Sequence, residues 1–407
     1  NILVSIAAPQ NVDLGEKISL DIKISDDEKP VVTFTTSKDS IAENGGSVIL
    51  TANLSNAKLN PTNINLSLEG DSTPLDDYTV SSIFGYDNFV GTNDSPGTSN
   101  GNGSAARFES PMNITPYLEG SYLVSDYDAH VIKRVYSDGT VTTFLGTPNN
   151  CGNDTGDASK ARICQPLQLY ADLSNGDVYW YRGNKIYYFE AAANTVEEIF
   201  YGNDDGIQTI NGIAYYNNEL YFSARNQHAV YKFDSAGTLI LVAGEKNGHK
   251  WWNSGDEAVS FSERALVYPG RLTVDEANNR IYVTTAGYEW MEEWDNTSRI
   301  NVLDFTTNMV SFLSNTRDFY KSAAGGQEPM FNGMGVDSSG SLYIAVSNFD
   351  IVAKVSFLPD GTDYVAQTIE NENINAPVDV LVSNGSAFIV NNKGYTIGKV
   401  GLGASIE

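Results

Sequence analysis

The sequence predicts an all-β chain dominated by a ring of repeats. Three observations carry that expectation. Short apolar runs bounded by Gly, Asn and Asp turns fill the chain, and long amphipathic helical patterns are absent. A strand pattern recurs in phase every roughly 40–60 residues, the mark of a radial or solenoid repeat. The 36 Gly, 23 Tyr and 17 Phe supply the turns and the aromatic filling that such sheets need.

The repeats are read first. Aligned on their second and third strands, six copies lie at 122–135, 178–189, 220–233, 281–303, 342–355 and 387–400. Copy one reads Tyr122-Leu123-Val124-Ser125-Asp126, then His130 before the next strand; copy three carries His228 and copy five Asp350 at the same place. A first strand precedes each copy, opening at Pro111, Pro166, Asn211, Pro269, Asn332 and Pro377. Four antiparallel strands per copy make one blade, and six blades predict a closed ring. The last copy ends at Val400, with almost no chain left for its outer strand. Residues 79–84, just ahead of the first copy, are placed to supply it, which would remove an exposed edge.

These copies resemble NHL repeats, whose pattern is a Pro-x-Gly-Ile-like strand, a Tyr-Val-Ala-Asp-like strand, an Asn-His-Arg-Ile-like hairpin and a Gly-rich connector. Segments 97–108 and 254–266 match the connectors. The resemblance covers about 80–400 and implies a six-bladed NHL-like β-propeller.

The N-terminal part has a different rhythm. Residues 31–35 and 47–52 alternate as strands, and 64–68 alternates strictly. Within 31–80, the run Ser40 to Gly46 and the later Asp76-Asp77-Tyr78-Thr79 resemble a Calx-β domain. Residues 1–28 resemble the end of a preceding Calx-β repeat. The expected division is therefore 1–78, a Calx-β-like, immunoglobulin-like β-sandwich made of two half-repeats, and 79–407, the propeller. The halves either fold on each other or take strands from a neighbouring chain.

Charge narrows the function. With 25 Lys+Arg against 51 Asp+Glu the formal net charge is −26. A nucleic-acid binder needs a basic surface to displace counterions, and an anionic lipid surface needs the same. Yet 41% of residues are hydrophobic and only 19% charged, so the chain can fill a core. No apolar run approaches the ~18 residues of a membrane span. The chain begins at Asn1 without Met, which reads as a processed or excised piece. Cys151 and Cys164, in an Asn/Gly-rich stretch, read as a disulfide and hence an oxidising, extracellular setting.

Candidate sites follow. Ca²⁺ takes six to eight oxygen ligands; the Calx-β resemblance implies calcium at Asp26, Asp27, Glu28, Glu43, Asp76 and Asp77, which as bare sequence are also ordinary turn acids. An aromatic group comes from topology. The hairpin segment 286–298 carries Tyr288, Trp290 and Trp294, and the connector into the same blade carries Trp251 and Trp252; both leave one face of the ring. Exposed Trp beside acids and Asn suits a glycan or peptide platform, while rings from two long loops also make a private mini-core. His130 and His228 repeat at one hairpin position, which argues for scaffold. Propeller lactonases use axial carboxylates and Asn around calcium, and by position Asp126, Asp379 and Asn391 are the candidates for that chemistry.

The expected function is that of an extracellular, non-enzymatic protein of a bacterial surface. Its propeller loops would serve adhesion or recognition of a protein or glycan. Two alternatives stand beside it: a filament subunit joined to copies of itself through residues 1–28, and a Ca²⁺-dependent hydrolase or lyase on the propeller axis.

Overall fold

A computed structural model describes strands at 2–8, 32–36, 46–54 and 79–84, and residues 86–402 except 235, 245–257, 264–265, 286–298, 314–328 and 358–363. The chain divides into two units, 1–87 with 400–407, and 88–399.

The described strands of the first unit form one antiparallel sheet in the order Val32–Thr36, Gly46–Leu54, Ile2–Ala8, Thr79–Phe84. Ile2–Ala8 lies between two later strands, pairing Val4 with Leu50 on one side and with Ser82 on the other. The first strand therefore pairs with later strands of the same chain.

The second unit is a six-bladed β-propeller. Each blade opens on an inner strand: Pro111–Tyr117, Leu169–Ala171, Ile210–Tyr216, Pro269–Asp275, Phe331–Val336 and Pro377–Ser383. Inner strands of successive blades touch in the order 1–2–3–4–5–6 and back to 1, so they surround the axis. Their side chains alternate between the two faces of each sheet, and apolar clusters form between blades. Trp180 and Tyr187 fill the space between blades 1 and 2; Phe222 and Tyr231 lie between blades 2 and 3, and Tyr282 and Ile344 between blades 4 and 5.

Ring closure differs from the sequence expectation by one strand. The outer strand of blade 6 is Tyr86–Gly91, which follows Thr396–Gly401 in the sheet, whereas Thr79–Phe84 belongs to the N-terminal sheet. Both segments have strand character, and period-2 alternation does not name a strand's partner. The physical reason for closure is unchanged: the first and last strands of the ring share a sheet. The apolar seam behind it joins Val90, Phe388 and Val390 of blade 6 to Val124 and Val135 of blade 1.

Candidate functional site

The metal candidates Asp26, Asp27, Glu28, Glu43, Asp76 and Asp77 lie outside the described residues, as do Trp251, Trp252, Tyr288, Trp290 and Trp294. The residues flanking the aromatic segments are described. Thr285 pairs with Arg299 and with Pro269, and Gly244 with Ala229. All of these stand at the end of the ring where inner strands begin. Cys151 and Cys164 are joined, with Cα atoms 4.4 Å apart. Their sulfurs lie within 4.8 Å of a His130 ring nitrogen. Because the sulfurs are bonded to each other, this grouping offers no thiolate to a metal.

Geometry also reveals an axial constellation. An inner strand is the axis-facing edge of its blade, so its outward N–H and C=O groups have no strand beside them. A register shift just past the strand start, seen in five of the six blades, marks where each inner strand turns toward the axis. At the equivalent position of successive blades stand Asn113, Gln168, Gly212, Arg271, Gly333 and Asp379. Asp379 Oδ2 accepts Ile114 N–H of blade 1 at 3.0 Å. Asn113 Oδ1 accepts Leu169 N–H of blade 2 at 2.8 Å, and Gln168 Oε1 accepts Ile213 N–H of blade 3 at 3.1 Å. Each side chain thus satisfies the free backbone N–H of the next blade. Asn113 also donates to Asp379, and Gln168 reaches past blade 3 to donate to Leu272 O at 2.9 Å.

On the other side of the ring the glycines permit contact of backbone with backbone. A Cβ on Gly212 would stand 2.5 Å from Gly270 O, and one on Gly333 would collide with the carboxylate of Asp379. Between them Arg271 of blade 4 crosses the axis to donate to Met112 O of blade 1, the opposite blade, at 3.3 Å. Asn113, Gln168, Arg271 and Asp379 are each at most 9% exposed. Together they close the axis at this level.

Burial pushes the Asp379 carboxyl up to about 6; the nearby Arg271 charge and the donors Ile114 and Asn113 oppose that rise. One carboxylate, one guanidinium and two amides make an interlocking plug. The Asp379 oxygen that would lead a calcium shell already accepts two protein hydrogen bonds.

The other positions flagged by sequence do different work. Asp126 accepts the N–H groups of Glu109 and Ser110, and Asn391 accepts that of Asn375, at the equivalent place in its blade. Both tether the connector that leads into an inner strand. Asp126 is also held at about 6 by burial, against its backbone donors and Lys133. His228 Nδ1 accepts Tyr268 N–H at 3.1 Å, as Asp350 accepts Ala376 N–H and His130 Nδ1 meets Gln165 N–H at 3.4 Å. All six of these residues have positive φ, between 45° and 60°. Hairpin and connector are thus left-handed turns latched together; His228 Nδ1 acts as an acceptor in that latch, while His130 Nδ1 also lies 3.1 Å from Tyr127 O. The axial plug had a signal in the sequence: the second residue after Pro111, Pro166, Pro269 and Pro377, and the residue next to Asn211 and Asn332, is polar or Gly.

No protein-family model matches the chain, and no curated protein does. Among solved structures, a protein of unknown function from Bacteroides thetaiotaomicron is similar over 96% of this chain and 100% of its own, at 15% identity and a TM-score of 0.53. Virginiamycin B lyase from Staphylococcus aureus matches 72% of this chain and 95% of its own (14% identity, TM-score 0.45), and a gluconolactonase from Xanthomonas campestris 72% and 86% (12%, 0.46). The first likeness supports the fold.

Proposed function

We propose that this chain is a non-enzymatic, extracellular binding protein of a bacterial surface. In this reading an NHL-like propeller presents loops from one end of its ring to a protein or glycan, and a Calx-β-like segment serves as its joint. The observation that carries it is the axis. There the polar groups that a propeller enzyme would turn toward a substrate are spent on the backbone of neighbouring blades. Recognition then falls to the ring's loops, and the residues that flank the Trp-bearing segments stand at one end of it. The formed disulfide supports an oxidising setting. No helix among the described residues is long and apolar enough to cross a membrane.

The platform consists of Trp251, Trp252, Tyr288, Trp290 and Trp294, where flat rings stack on apolar ligand faces and adjacent acids and amides orient polar groups. Calcium, held by Asp26, Asp27, Glu28, Glu43, Asp76 and Asp77, stiffens the joint. The test is a glycan and peptide array probed with wild type and with the Trp251→Ala, Trp290→Ala double variant. Binding by wild type that the double variant loses is the expected result. Equal binding by both, or turnover of an array compound, would overturn the proposal.

A further inference from the structure

Away from the inner-strand starts, at the other end of the ring, blades 2 and 3 meet across a ladder of tyrosines. Tyr170, Tyr179 and Tyr188 stand side by side on three successive strands of blade 2, paired 170 with 179 and 179 with 188. Tyr215 joins them from the inner strand of blade 3, Ile210–Tyr216. Ring centroids are 4.8 Å apart for Tyr179–Tyr188, 4.9 Å for Tyr170–Tyr215 and 5.9 Å for Tyr179–Tyr215, the last two pairs inclined by only 18° and 23°. All four are partly exposed, and Leu173 beside them is 53% exposed.

Packing between blades asks only for ring area, which phenylalanine supplies; a hydroxyl needs a partner when it is buried. Tyr188 gives its hydroxyl to Asp177. The hydroxyls of Tyr170, Tyr179 and Tyr215 have no hydrogen-bond partner among the described residues. The charged groups acting on the four rings are Asp172, Asp177, Glu190 and Glu276, with no Lys or Arg among them. The cluster is therefore a row of phenol donors on a flat apolar bed inside a negative field.

We propose that this tyrosine ladder is a docking surface for a basic, proline-rich segment of another protein, bound as an extended polyproline helix. Proline amides offer carbonyl acceptors and no N–H, matching a surface whose free groups are donors. The polyproline helix is ordered before it binds, which lowers the entropy cost, and aromatic-lined grooves are its usual receptors. Lys or Arg flanking the prolines meets Asp172 and Glu276. Burial above all holds Tyr170 and Tyr179 at about 12, so both remain donors through the neutral range. This surface lies at the end of the ring opposite Gly244, Thr285 and Arg299, which flank the Trp-bearing segments, and the inference stands without those segments.

The test is fluorescence polarisation on the full chain with a labelled short polyproline peptide carrying an arginine at each end. Saturable binding, weakened by salt, is expected. The Tyr170→Phe, Tyr179→Phe, Tyr215→Phe triple variant keeps the rings and should unfold like wild type. It should bind about tenfold or more weakly, since it lacks the three hydroxyl donors. Asp172→Asn with Glu276→Gln should flatten the salt dependence. No saturable binding would overturn the proposal. So would equal binding of a glutamate-ended peptide, a triple variant that binds like wild type, or capture of a neutral oligosaccharide in place of the peptide.

Discussion

The two halves of the axial ring solve one problem in different ways. From blade 6 through blades 1 and 2, the carboxyl or amide of each blade caps the free N–H of the next: Asp379 to Ile114, Asn113 to Leu169, Gln168 to Ile213. Across blades 3 to 5 no side chain at this position caps an N–H among the described residues; instead Ser223 Oγ donates to Gly270 O and Thr273 Oγ1 to Met334 O. Gly212 brings its backbone against Gly270 and Leu272, and Gly333 gives up its side-chain space to Asp379. The difference teaches that a repeat position is conserved in place but not in chemistry within this one ring. Where neighbouring strands stand apart, a polar side chain spans the gap; where they close up, only glycine fits.

Three perturbations bear on that contrast. The largest effect is expected on the glycine side. Gly333→Ala forces a methyl group into the Asp379 carboxylate, and Gly212→Ala drives one into Gly270 O; overpacking of this kind costs about 3 kcal/mol, read by urea denaturation. Gly333→Ala combined with Asp379→Ala should cost less than the sum of the two, because the second change removes what the first collides with. Full additivity would show that the two residues are not in contact.

A smaller loss is expected in the relay. Asp379→Ala leaves the buried Ile114 N–H and the Asn113 amide without their acceptor, a loss of about 2 kcal/mol. Asp379→Asn, which keeps an acceptor oxygen, should lose less. If Asn is as damaging as Ala, the charge and not the hydrogen bond holds the seam.

The smallest effect is on pH dependence. Asp379 and Asp126 titrate at about 6 when folded and, unfolded, near the ordinary 3.8. The folded state therefore binds their protons first. Their contribution is fully present below 3.8 and is lost as pH rises through about 6. Stability should be greater at pH 5 than at pH 7.5, by on the order of 1 kcal/mol per group, and Asp379→Asn should narrow that difference. An unchanged difference in the variant would assign the pH response to other acids.

Much of this architecture was legible in the sequence. Six inner strands were found from Pro111, Pro166, Asn211, Pro269, Asn332 and Pro377, because a ring repeats one local pattern and six in-phase copies reinforce each other. The closing strand is Tyr86–Gly91 and not 79–84; alternation marks a strand without naming its neighbour. By position Asp126 and Asn391 are axial candidates, yet they tether connectors; position along a strand does not say whether a side chain faces the axis or the previous connector. The plug itself was visible only as a polar or Gly residue at the repeated position. That pattern gains meaning once the inner strand is recognised as an edge with unpaired N–H groups. The carboxylate and Trp sites fall outside the described residues, and the functional reading rests on the axis and on where the loop anchors stand.

The most direct test compares three proteins on one ligand, the best binder from the glycan and peptide array. These are wild type, Arg271→Met, which opens the plug while keeping an apolar side chain across the axis, and the Trp251→Ala, Trp290→Ala double variant. If the axis is structural and the loops bind, Arg271→Met binds with wild-type affinity and the double Trp variant does not bind. Loss of binding in Arg271→Met, with the Trp variant intact, would place the working site on the axis and contradict the account.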